Sequence, residues 1–482
     1  MNLKNKALFR EQNYLNGRWI DAADGRTFEV KNPFDQKKLG TVPHCGKLEA
    51  EQAIEAAQKA FLIWKKKTAK ERCALVRRWA DLIEENKADL ALLMTLESGK
   101  ALSESVGEIN YGNSFNYWFA EEGKRMYGDV IPTIADDRRL LVVKQPIGVV
   151  AAITPWNFPN AMIARKCAPA LVAGCTIVLK PAEATPYSAL ALAVLAEEAG
   201  IPAGVMNILT GDPAAIGLAF STHPVVKKLT FTGSTRVGKL LMQQASQTVK
   251  KLSLELGGNA PFIVFEDADL DAAVAGLMVA KFRNAGQACV AANRVFVHES
   301  VYDAFLNKLL PEVKALKVGN GLDPQVQIGT LINQAGVKKV SGLVEDAVRC
   351  GAKVLCGGQV DASSINIYQP TVLVDIPLTA EISQEEIFGP VIALYRFKNE
   401  ADVIEQANHT PYGLASYFYS RDIGRVWRVA EALDYGMVSI NQGLFSTEVA
   451  PFGGVKESGF GREGSKYGLE DYVKIKYLCM GV

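Results

Sequence analysis

The pattern of hydrophobic and polar positions divides the chain into stretches of different character. Over residues 48–124 apolar side chains recur at spacings of three and four, as at Ile54, Ala57 and Phe61, which predicts a series of amphipathic helices. Their charged faces are typical of solvated scaffold, and we assign them no chemistry. Residues 1–45 carry several turn signals, and we expect them to be irregular and poor in strands.

From residue 147 onward, short apolar runs alternate with helical segments. The sequence predicts strands over 147–153, 175–179, 205–209, 228–231 and 252–254, and helices over 159–172 and 187–199. Such alternation is typical of a parallel sheet covered on both faces, in which ligands bind outside the carboxyl ends of the strands. A second α/β segment with its own strands occupies residues 260–441. We therefore predict an α/β fold.

Two further strands are predicted outside these segments. Residues 139–146 form an apolar run closed by proline, and residues 472–477 alternate apolar and polar side chains as a half-exposed strand does. Exposed strand edges need cover, and pairing with another subunit is one way to provide it.

Composition narrows the classes of protein to which the chain can belong. Its 482 residues, 49% hydrophobic and 22% charged, are typical of a globular protein with two or three domains. The net charge of +1 gives no electrostatic reason to expect nucleic acid or an anionic membrane as a partner. The polar start and the lack of a long apolar run argue against a signal peptide or a membrane span.

The distribution of cysteine and histidine argues against a metal site. None of the eight cysteines forms a Cys-x-x-Cys pair, and the four histidines lie far apart in the sequence. We therefore expect reduced thiols in the cytoplasm and no bound metal.

One cysteine, Cys289, has the surroundings of a nucleophile. Small residues such as Gly286 and Ala288 leave room for another molecule to approach the thiol. The nearby Arg283 and Arg294 are expected to raise the local positive potential, which favours thiolate over thiol. The alternative is a buried, inert cysteine, since free cysteines are among the most buried residues.

Two other candidates stand at predicted strand ends. Asn157 lies between two prolines after one strand, where a fixed amide can donate to a developing oxyanion or simply cap the next helix. Glu255 ends another apolar strand and is followed by Gly257 and Gly258, which let substrate or water come near. It is a candidate general base with a raised pKa, or else one half of a strand-end salt bridge.

Three weaker motifs accompany these candidates. Lys180 and Glu183 follow a strand and can reach the ribose hydroxyls of a nucleotide, although a lone charge in a loop usually meets only solvent. A glycine and hydroxyl run over 231–238 opens a helix and can free backbone N–H groups for phosphate. A carboxylate and an aromatic ring close together over 385–390 suit a ribose and a flat cofactor ring. The Gly-x-Gly-x-x-Gly run at 459–464 follows no buried strand, so we interpret it as a surface loop.

Taken in order, the motifs are Pro-Trp-Asn-Phe-Pro, Lys-Pro-Ala-Glu, Phe-Thr-Gly-Ser, Leu-Glu-Leu-Gly-Gly, Gly-Gln-x-Cys and Glu-Glu-x-Phe-Gly-Pro. This order resembles the aldehyde dehydrogenase superfamily over residues 10–482. Residues 161–166, 281–284 and 461–468 carry a closer similarity to succinate-semialdehyde dehydrogenases.

The resemblance implies an aldehyde dehydrogenase fold with three parts. A Rossmann-like NAD(P)-binding domain would comprise residues 1–124 and 147–257, and an α/β catalytic domain residues 258–441. A small β oligomerisation arm would comprise residues 125–146 and 465–482. The resemblance implies a homodimer or homotetramer.

The resemblance also implies a role for each motif. Cys289 attacks the aldehyde, Asn157 and the backbone N–H of Cys289 receive the oxyanion, and Glu255 activates the water that releases the acid. The implied cofactor residues are Lys180 and Glu183 at the adenosine ribose, Gly233 and Ser234 along the pyrophosphate, and Trp156, Glu386 and Phe388 at the nicotinamide end.

The implied substrate is a small aldehyde with a distal carboxylate, foremost succinate semialdehyde. Arg165 and Arg283, with Ser446, are expected to bind that carboxylate, unless the arginines form only surface salt bridges. We expect NAD rather than NADP because the Glu183 carboxylate would repel a 2′-phosphate, whereas similar bacterial enzymes often have serine there.

Three alternatives stay open. Glutarate semialdehyde is one methylene longer, a difference worth only about 1–3 kcal/mol of discrimination. A thiol hydrolase or acyltransferase could use Cys289 and Glu255 without nicotinamide. A catalytically idle relative could serve only as a structural or binding protein.

Overall fold

The computed structural model describes residues 2–482. The strands are β1 (Asn13–Leu15), β2 (Arg18–Ile20), β3 (Thr27–Lys31), β4 (Lys38–Pro43), β5 (Asp129–Ile131), β6 (Arg138–Pro146), β7 (Val149–Ile153), β8 (Thr176–Lys180), β9 (Met206–Ile208), β10 (Val226–Thr232), β11 (Lys251–Glu255), β12 (Ala260–Val264), β13 (Ala292–His298), β14 (Lys353–Cys356), β15 (Thr371–Val374), β16 (Val391–Phe397), β17 (Tyr412–Gly413), β18 (Ala415–Tyr419), β19 (Met437–Ile440), β20 (Val455–Lys456), β21 (Gly459–Phe460) and β22 (Val473–Gly481).

The helices are α1 (Lys47–Trp64), α2 (Ala69–Glu85), α3 (Lys87–Ser98), α4 (Leu102–Glu122), α5 (Ala161–Ala173), α6 (Pro186–Glu198), α7 (Pro213–Thr222), α8 (Thr235–Ala245), α9 (Leu270–Phe282), α10 (Tyr302–Ala315), α11 (Gln334–Arg349), α12 (Glu381–Gln384), α13 (Glu400–Asn408), α14 (Ile423–Ala432) and α15 (Ser465–Glu470). Among residues 2–482 we find no helix with the length and apolarity that a membrane crossing requires.

The first large sheet has the strand order β2-β1-β9-β8-β7-β10-β11-β21. Its five central strands, from β9 to β11, run parallel, while β1 and β21 pair antiparallel at the two sides. The chain moves from β7 through β8 to β9 in one direction and then returns to β10 and β11 on the other side. The strand order therefore reverses between β7 and β10, which is where doubly wound sheets bind their ligands.

Helices cover both faces of this sheet. Val150 and Ala152 of β7 pack into a core with α2 to α6, whereas Val149 and Ala151 pack into a second core with α1, α7 and α8. The side chains of a strand alternate between the two faces of the sheet, and helices cover both faces. Both sets of side chains are therefore buried, and the strand is apolar along its whole length. The α/β prediction is confirmed for this segment.

The second large sheet has the order β14-β15-β16-β13-β12-β18-β19. All of its strands are parallel except β14, which pairs antiparallel with β15. Only the four residues 256–259 separate β11 of the first sheet from β12 of the second. The two sheets are therefore held close together at the point where a strand of the first sheet ends and a strand of the second begins.

A separate three-stranded antiparallel sheet has the order β22-β6-β5. The predicted strands at 139–146 and 472–477 are confirmed as β6 and β22, which pair from Val473 opposite Pro146 to Gly481 opposite Arg138. Beyond Val473, the residues of β22 are exposed, including the apolar Ile475 and Tyr477.

Two predictions about irregular segments are wrong. Residues 1–45 contain four strands, of which β1 pairs with β2 across the Asn16-Gly17 turn and also with β9. The 459–464 run is not a surface loop, because β21 pairs with β11 and Gly459 is buried. In both cases a short strand obtains its hydrogen bonds from a distant segment, which local pattern cannot reveal.

Candidate active site

A cavity of about 380 Å³ lies where the two large sheets meet. The predicted site residues that line it are Trp156, Asn157, Gly233, Ser234, Glu255, Cys289, Glu386 and Phe388. The first five of these residues, from Trp156 to Glu255, follow or end the parallel strands β7, β10 and β11 of the first sheet. The other three precede β13 and β16 of the second sheet. The carboxyl edge of one sheet therefore faces the amino edge of the other across a single cavity.

Asn157 is held by hydrogen bonds on both its side chain and its backbone. Its Nδ2 donates to the Gln287 carbonyl at 2.9 Å, and its own carbonyl accepts from Lys100 Nζ at 2.7 Å and Asn284 Nδ2 at 2.9 Å. The amide carries two hydrogens, so one is left to donate to a ligand. The residue before α5 is Asn160, so Asn157 is not the helix cap.

The nucleophile loop begins with a left-handed turn. Asn284, Ala285 and Gly286 have φ values of 52°, 55° and 76° in succession. Such a conformation costs about 1–3 kcal/mol at a residue other than glycine, so surrounding contacts must hold it. The Asn284 N–H donates to Glu104 Oε1 at 2.7 Å. A Cβ at Gly286 would lie 2.2 Å from the Gly389 carbonyl oxygen, which makes glycine necessary there.

The surroundings of the Cys289 thiol differ from those expected. Burial, followed by the carboxylates of Glu386 and Glu255, raises its pKa to about 12, and the cation that lowers it is Arg165. The expectation that Arg294 helps to form the thiolate is wrong, because its guanidinium donates instead to the carbonyls of Asn259, Gln406 and Ala407. The thiol is therefore neutral at rest and needs a proton acceptor before it can attack.

Glu255 has the properties of an unpaired general base. It is buried, and within the described chain neither carboxylate oxygen has a hydrogen-bond partner or a cation in salt-bridge contact. Burial, followed by the nearby Glu463 carboxylate, raises its pKa well above the ordinary value, while Arg165 and Lys166 oppose that rise. The salt-bridge alternative therefore does not hold, and an unsatisfied buried carboxylate at a cavity is typical of a functional site.

Glu463 is a charged neighbour that the sequence analysis missed. Its carboxylate pairs with Arg165 Nε at 2.7 Å and with Lys166 Nζ, and Lys166 Nζ also donates to Thr232 Oγ1 at 2.6 Å. Glu463 belongs to the glycine-rich run that we had interpreted as a surface loop. The structure also brings this tail close to Glu255, since a Cβ at Gly453 would lie 2.9 Å from Glu255 Oε1, and no local sequence pattern indicates that approach.

Arg165 consequently lies in a buried network. Its side chain is 2% exposed, and its guanidinium stacks 4.0 Å from the Phe452 ring. Its Nη1 donates to the Tyr111 hydroxyl at 3.4 Å, whereas its Nη2 is buried without an acceptor in the described chain. The alternative of a surface salt bridge therefore does not hold for Arg165.

A neighbouring cavity of about 210 Å³ brings Arg283 and Ser446 together. The Arg283 guanidinium lies 4.7 Å from the Phe158 ring and 5.3 Å from the Tyr111 ring. Within residues 2–482 no carboxylate forms a salt bridge with it. Phe158 lines both this cavity and the one that holds Cys289, so the two cavities are adjacent.

The phosphate and nicotinamide residues fit a dinucleotide. Ser234 precedes α8 and accepts from the Val237 N–H at 3.4 Å, which places a helix N-terminus at the cavity. The rings of Trp156 and Phe388 meet edge to face with centroids 5.5 Å apart. Glu386 Oε1 accepts from the Gly258 N–H at 3.0 Å, and burial raises the pKa of Glu386 to about 7.

The adenosine residues lie at the end of β8. Lys180 is buried and its ammonium pairs with the Glu183 carboxylate, which is itself 46% exposed. Glu183 can therefore present one carboxylate oxygen to solvent or to a ligand while its other oxygen stays paired with the buried Lys180 ammonium. This pair does not line the cavity of Cys289.

Comparisons with known proteins agree with this arrangement. The model of the aldehyde dehydrogenase family matches residues 19–478. The NADP(+) succinate-semialdehyde dehydrogenase of Escherichia coli (strain K12) is 58% identical and is covered over 100% of both chains. Glutarate-semialdehyde dehydrogenase of Pseudomonas putida (strain KT2440) is also 58% identical over 100% of both chains. The crystal structure of succinate-semialdehyde dehydrogenase from Burkholderia pseudomallei has a TM-score of 0.99 at 58% identity, with 100% of both chains covered. This chain belongs to the aldehyde dehydrogenase family.

Proposed function

We propose that the protein oxidises succinate semialdehyde to succinate with a nicotinamide dinucleotide. The observation that carries the proposal is the Arg283 guanidinium, which no carboxylate in the described chain pairs, beside Ser446 in the cavity that adjoins Cys289. An unpaired guanidinium against aromatic rings attracts a carboxylate, since its charge is poorly screened there. The E. coli relative is named for this substrate.

Arg165 completes the proposed carboxylate site through Tyr111. Arg165 donates to the Tyr111 hydroxyl, and Arg283 lies over the Tyr111 ring, so both arginines converge on one side chain. The buried Nη2 of Arg165 has no acceptor within the described residues, and a substrate oxygen would supply one.

Cys289 and Asn157 perform the first step. The Cys289 sulfur bonds to the aldehyde carbon, and the thiol proton passes to a base, for which the unpaired Glu255 carboxylate is the candidate. The carbonyl oxygen becomes an oxyanion, which accepts hydrogen bonds from Asn157 Nδ2 and from the Cys289 N–H. These donors stabilise charge that exists only after attack and so lower the barrier.

The dinucleotide would be held by the residues that fit it: Lys180 and Glu183 at the adenosine ribose, Gly233 and Ser234 at the pyrophosphate, and Trp156, Glu386 and Phe388 at the nicotinamide. When bound, it would accept the hydride from the substrate carbon, which leaves a thioester on Cys289. Glu255, having released the first proton to solvent, then takes a proton from the water that attacks the thioester carbon, and Cys289 leaves as its thiolate with release of the carboxylic acid.

A second candidate substrate is glutarate semialdehyde. The Pseudomonas putida relative named for it is as similar as the E. coli one. Its extra methylene changes the distance between aldehyde and carboxylate by about one bond, which is worth only about 1–3 kcal/mol of binding. A thiol hydrolase is less well supported, because it would not need the dinucleotide residues.

We further propose that the three sheets have separate tasks. The sheet containing β7 to β11 would bind the cofactor, and the seven-stranded sheet that begins with β12 and lacks β17 would supply the nucleophile. The β5–β6–β22 arm would pair with another copy in a homodimer or homotetramer, since β22 is an edge strand with exposed apolar side chains. Eight free cysteines support a reducing compartment such as the cytoplasm.

Steady-state kinetics of Arg283→Ala test the substrate assignment. We expect KM for succinate semialdehyde to rise on the order of 100-fold, as for loss of a charged hydrogen-bond partner, while KM for butanal changes less than about twofold. Arg421→Ala removes an exposed guanidinium far from the cavity and serves as the control. Equal effects on the charged and uncharged aldehydes would contradict the proposal, and glutarate semialdehyde in the same assay ranks the two candidate substrates.

A further inference from the structure

We propose that α4 aligns the oxyanion amide with the nucleophile, and that its Glu108, together with Lys100, forms a positioning pair for Asn157. The inference rests on the proposed role of Asn157 in aldehyde oxidation. Nothing in the sequence pattern marked α4 as more than scaffold. Its four site-facing residues, however, contact the segments that carry Asn157, Arg165 and Cys289.

One face of α4 is directed at the site. Glu104, Glu108, Tyr111 and Phe115 are spaced by four, three and four residues, which places them on one side of a helix. Glu104 accepts the Asn284 N–H before the nucleophile, Tyr111 lies under Arg283, and the Phe115 ring lies 5.5 Å from the Arg165 guanidinium. Two segments that are distant in sequence, the turn at Arg283 and Asn284 and the helix α5, therefore contact a single rigid element.

Glu108 fixes the downstream end of the oxyanion loop. Its Oε1 accepts the Asn160 N–H at 2.9 Å and the Ala161 N–H at 3.2 Å, where α5 begins. A carboxylate at a helix N-terminus is favoured by the unpaired N–H groups and by the helix dipole. The remaining oxygen, Oε2, pairs with Lys100, and both side chains are about 1% exposed.

Lys100 fixes the peptide of Asn157 itself. Its Nζ donates to the Asn157 carbonyl at 2.7 Å and lies 4.6 Å from the Phe158 ring centroid. The ion pair therefore holds the carbonyl of Asn157 at one end and the N–H groups three and four residues later at the other. The backbone between these points cannot shift without breaking a charged hydrogen bond.

The pair matters because the amide and the thiol belong to different sheets. Asn157 follows β7 of the first sheet, whereas Cys289 precedes β13 of the second. Glu104 and Glu108, one turn apart on α4, bind the loops of both. Displacing an oxyanion donor by about 1 Å lowers the reaction rate on the order of 100-fold, so catalysis requires a fixed spacing between Asn157 and Cys289.

Stability alone does not explain the pair. A buried ion pair pays a desolvation cost that its attraction often fails to recover, and apolar replacements of both partners are frequently neutral for folding. The double variant Lys100→Met, Glu108→Leu leaves no unpaired buried charge but frees the Asn160 and Ala161 N–H groups, and we expect it to lose activity at temperatures well below its melting temperature. Glu108→Gln and Lys100→Arg, which keep hydrogen bonding, should retain more activity.

The decisive experiment measures the Lys100→Met effect in two backgrounds. In the native background we expect kcat to fall about 10- to 100-fold with KM within about twofold. The rate of Cys289 alkylation by iodoacetamide should change less than about twofold, because alkylation needs no oxyanion donor. In an Asn157→Ala background Lys100→Met should have almost no further effect on kcat, since Lys100 would act only through the missing amide.

Several outcomes overturn the inference. They are an unchanged kcat, a full additional loss in the Asn157→Ala background, or a loss of alkylation rate as large as the loss of kcat. Lys124→Met, which breaks the exposed Lys124–Glu121 pair at the end of the same helix, is the matched control and should change nothing. Any aldehyde that the native enzyme oxidises can serve, so a wrong succinate assignment and a failed inference give different results.

Discussion

The two edges that form the site are built in different ways. On the carboxyl edge of the first sheet, functional residues end or directly follow regular strands, as Glu255 ends β11 and Ser234 follows β10. On the amino edge of the second sheet, they precede their strands, and the backbone is left-handed at Phe388 itself and at Asn284 and Ala285 in the turn before Cys289. Most of the first edge obtains its geometry from the sheet, with Lys100 and Glu108 holding the Asn157 segment in addition, whereas the second edge depends mainly on hydrogen bonds to other elements.

This difference has an energetic consequence. Left-handed residues other than glycine cost about 1–3 kcal/mol each, so the second edge stores strain that Glu104 and the Gln287 side chain must offset. Gln287 Nε2 donates to the carbonyls of Asn284 and Thr330, and its Oε1 accepts the Ile332 N–H at 2.9 Å. The nucleophile is therefore on the less stable side of the cavity and the oxyanion donor on the more stable side.

Removing one functional group from each edge tests the division of labour, and here we expect the largest effect. Cys289→Ala should abolish aldehyde oxidation, because no other group forms the covalent adduct. Asn157→Ala should lower kcat about 100- to 1000-fold and leave some turnover, as for loss of one oxyanion donor. Coenzyme affinity, measured by fluorescence titration, should stay within about twofold in both. Measurable turnover in Cys289→Ala would refute the nucleophile.

Glu255→Gln is expected to have the next largest effect and to separate the two half-reactions. Without the carboxylate, water attack on the thioester slows, and we expect steady-state kcat to fall at least about 100-fold. A rapid-mixing experiment separates the two roles of Glu255, because a burst of reduced nicotinamide, up to one equivalent per site, would mean that another group accepts the thiol proton and that Glu255 acts only on water. Loss of the burst together with the steady state would instead assign Glu255 to thiol activation. Unchanged turnover would rule out both roles.

The sequence predicted the functional residues of the first edge but not the residues that hold them in position. Strand-helix alternation predicted β7, β8, β10 and β11 because their burial is continuous, and Asn157 and Glu255 were found at strand ends for the same reason. Glu463 and Glu108 were missed. Each acts through a partner between 50 and about 300 residues away in the chain, and a pattern over a dozen residues contains no record of such a contact. The Glu104-Glu108-Tyr111 spacing on α4 was visible, but it is indistinguishable from a solvated helix face.

Lys281 lies on α9, just before the nucleophile turn on the amino edge of the second sheet. It allows the stability of that edge to be tested as a function of pH. Its Nζ is buried without a hydrogen-bond partner in the described chain, and burial lowers its pKa from 10.5 to about 7, although Glu386 opposes this. A folded-state pKa below the unfolded one contributes stability above pH 10.5, and that contribution is lost as pH falls through about 7.

Lys281→Met should therefore stabilise the protein on the order of a few kcal/mol at pH 7. The gain should shrink as pH rises toward 10, where the native lysine is neutral in the folded state. Urea unfolding monitored by fluorescence across this pH range measures it, with the exposed Lys308→Met as the control. If the difference in the free energy of unfolding between Lys281→Met and the native protein does not vary with pH, protonation of Lys281 does not destabilise the fold.

The smallest effect is expected at the end of β8, where one carboxylate selects between two cofactors. Glu183 is paired with Lys180 yet 46% exposed, so it can accept hydrogen bonds from a ribose 2′-hydroxyl without moving. Against a 2′-phosphate the same carboxylate is repelled, and Lys180 cannot fully compensate because Glu183 already neutralises its charge. We therefore expect kcat/KM to favour NAD over NADP, although the E. coli relative is named for NADP(+).

Glu183→Ser should shift the ratio of the two kcat/KM values toward NADP by about tenfold, corresponding to about 1.4 kcal/mol. The control is Glu198→Ser, which removes an exposed carboxylate at the end of α6 and should not shift the ratio. A native preference for NADP, or no shift in Glu183→Ser, would mean that cofactor choice is made elsewhere on this edge.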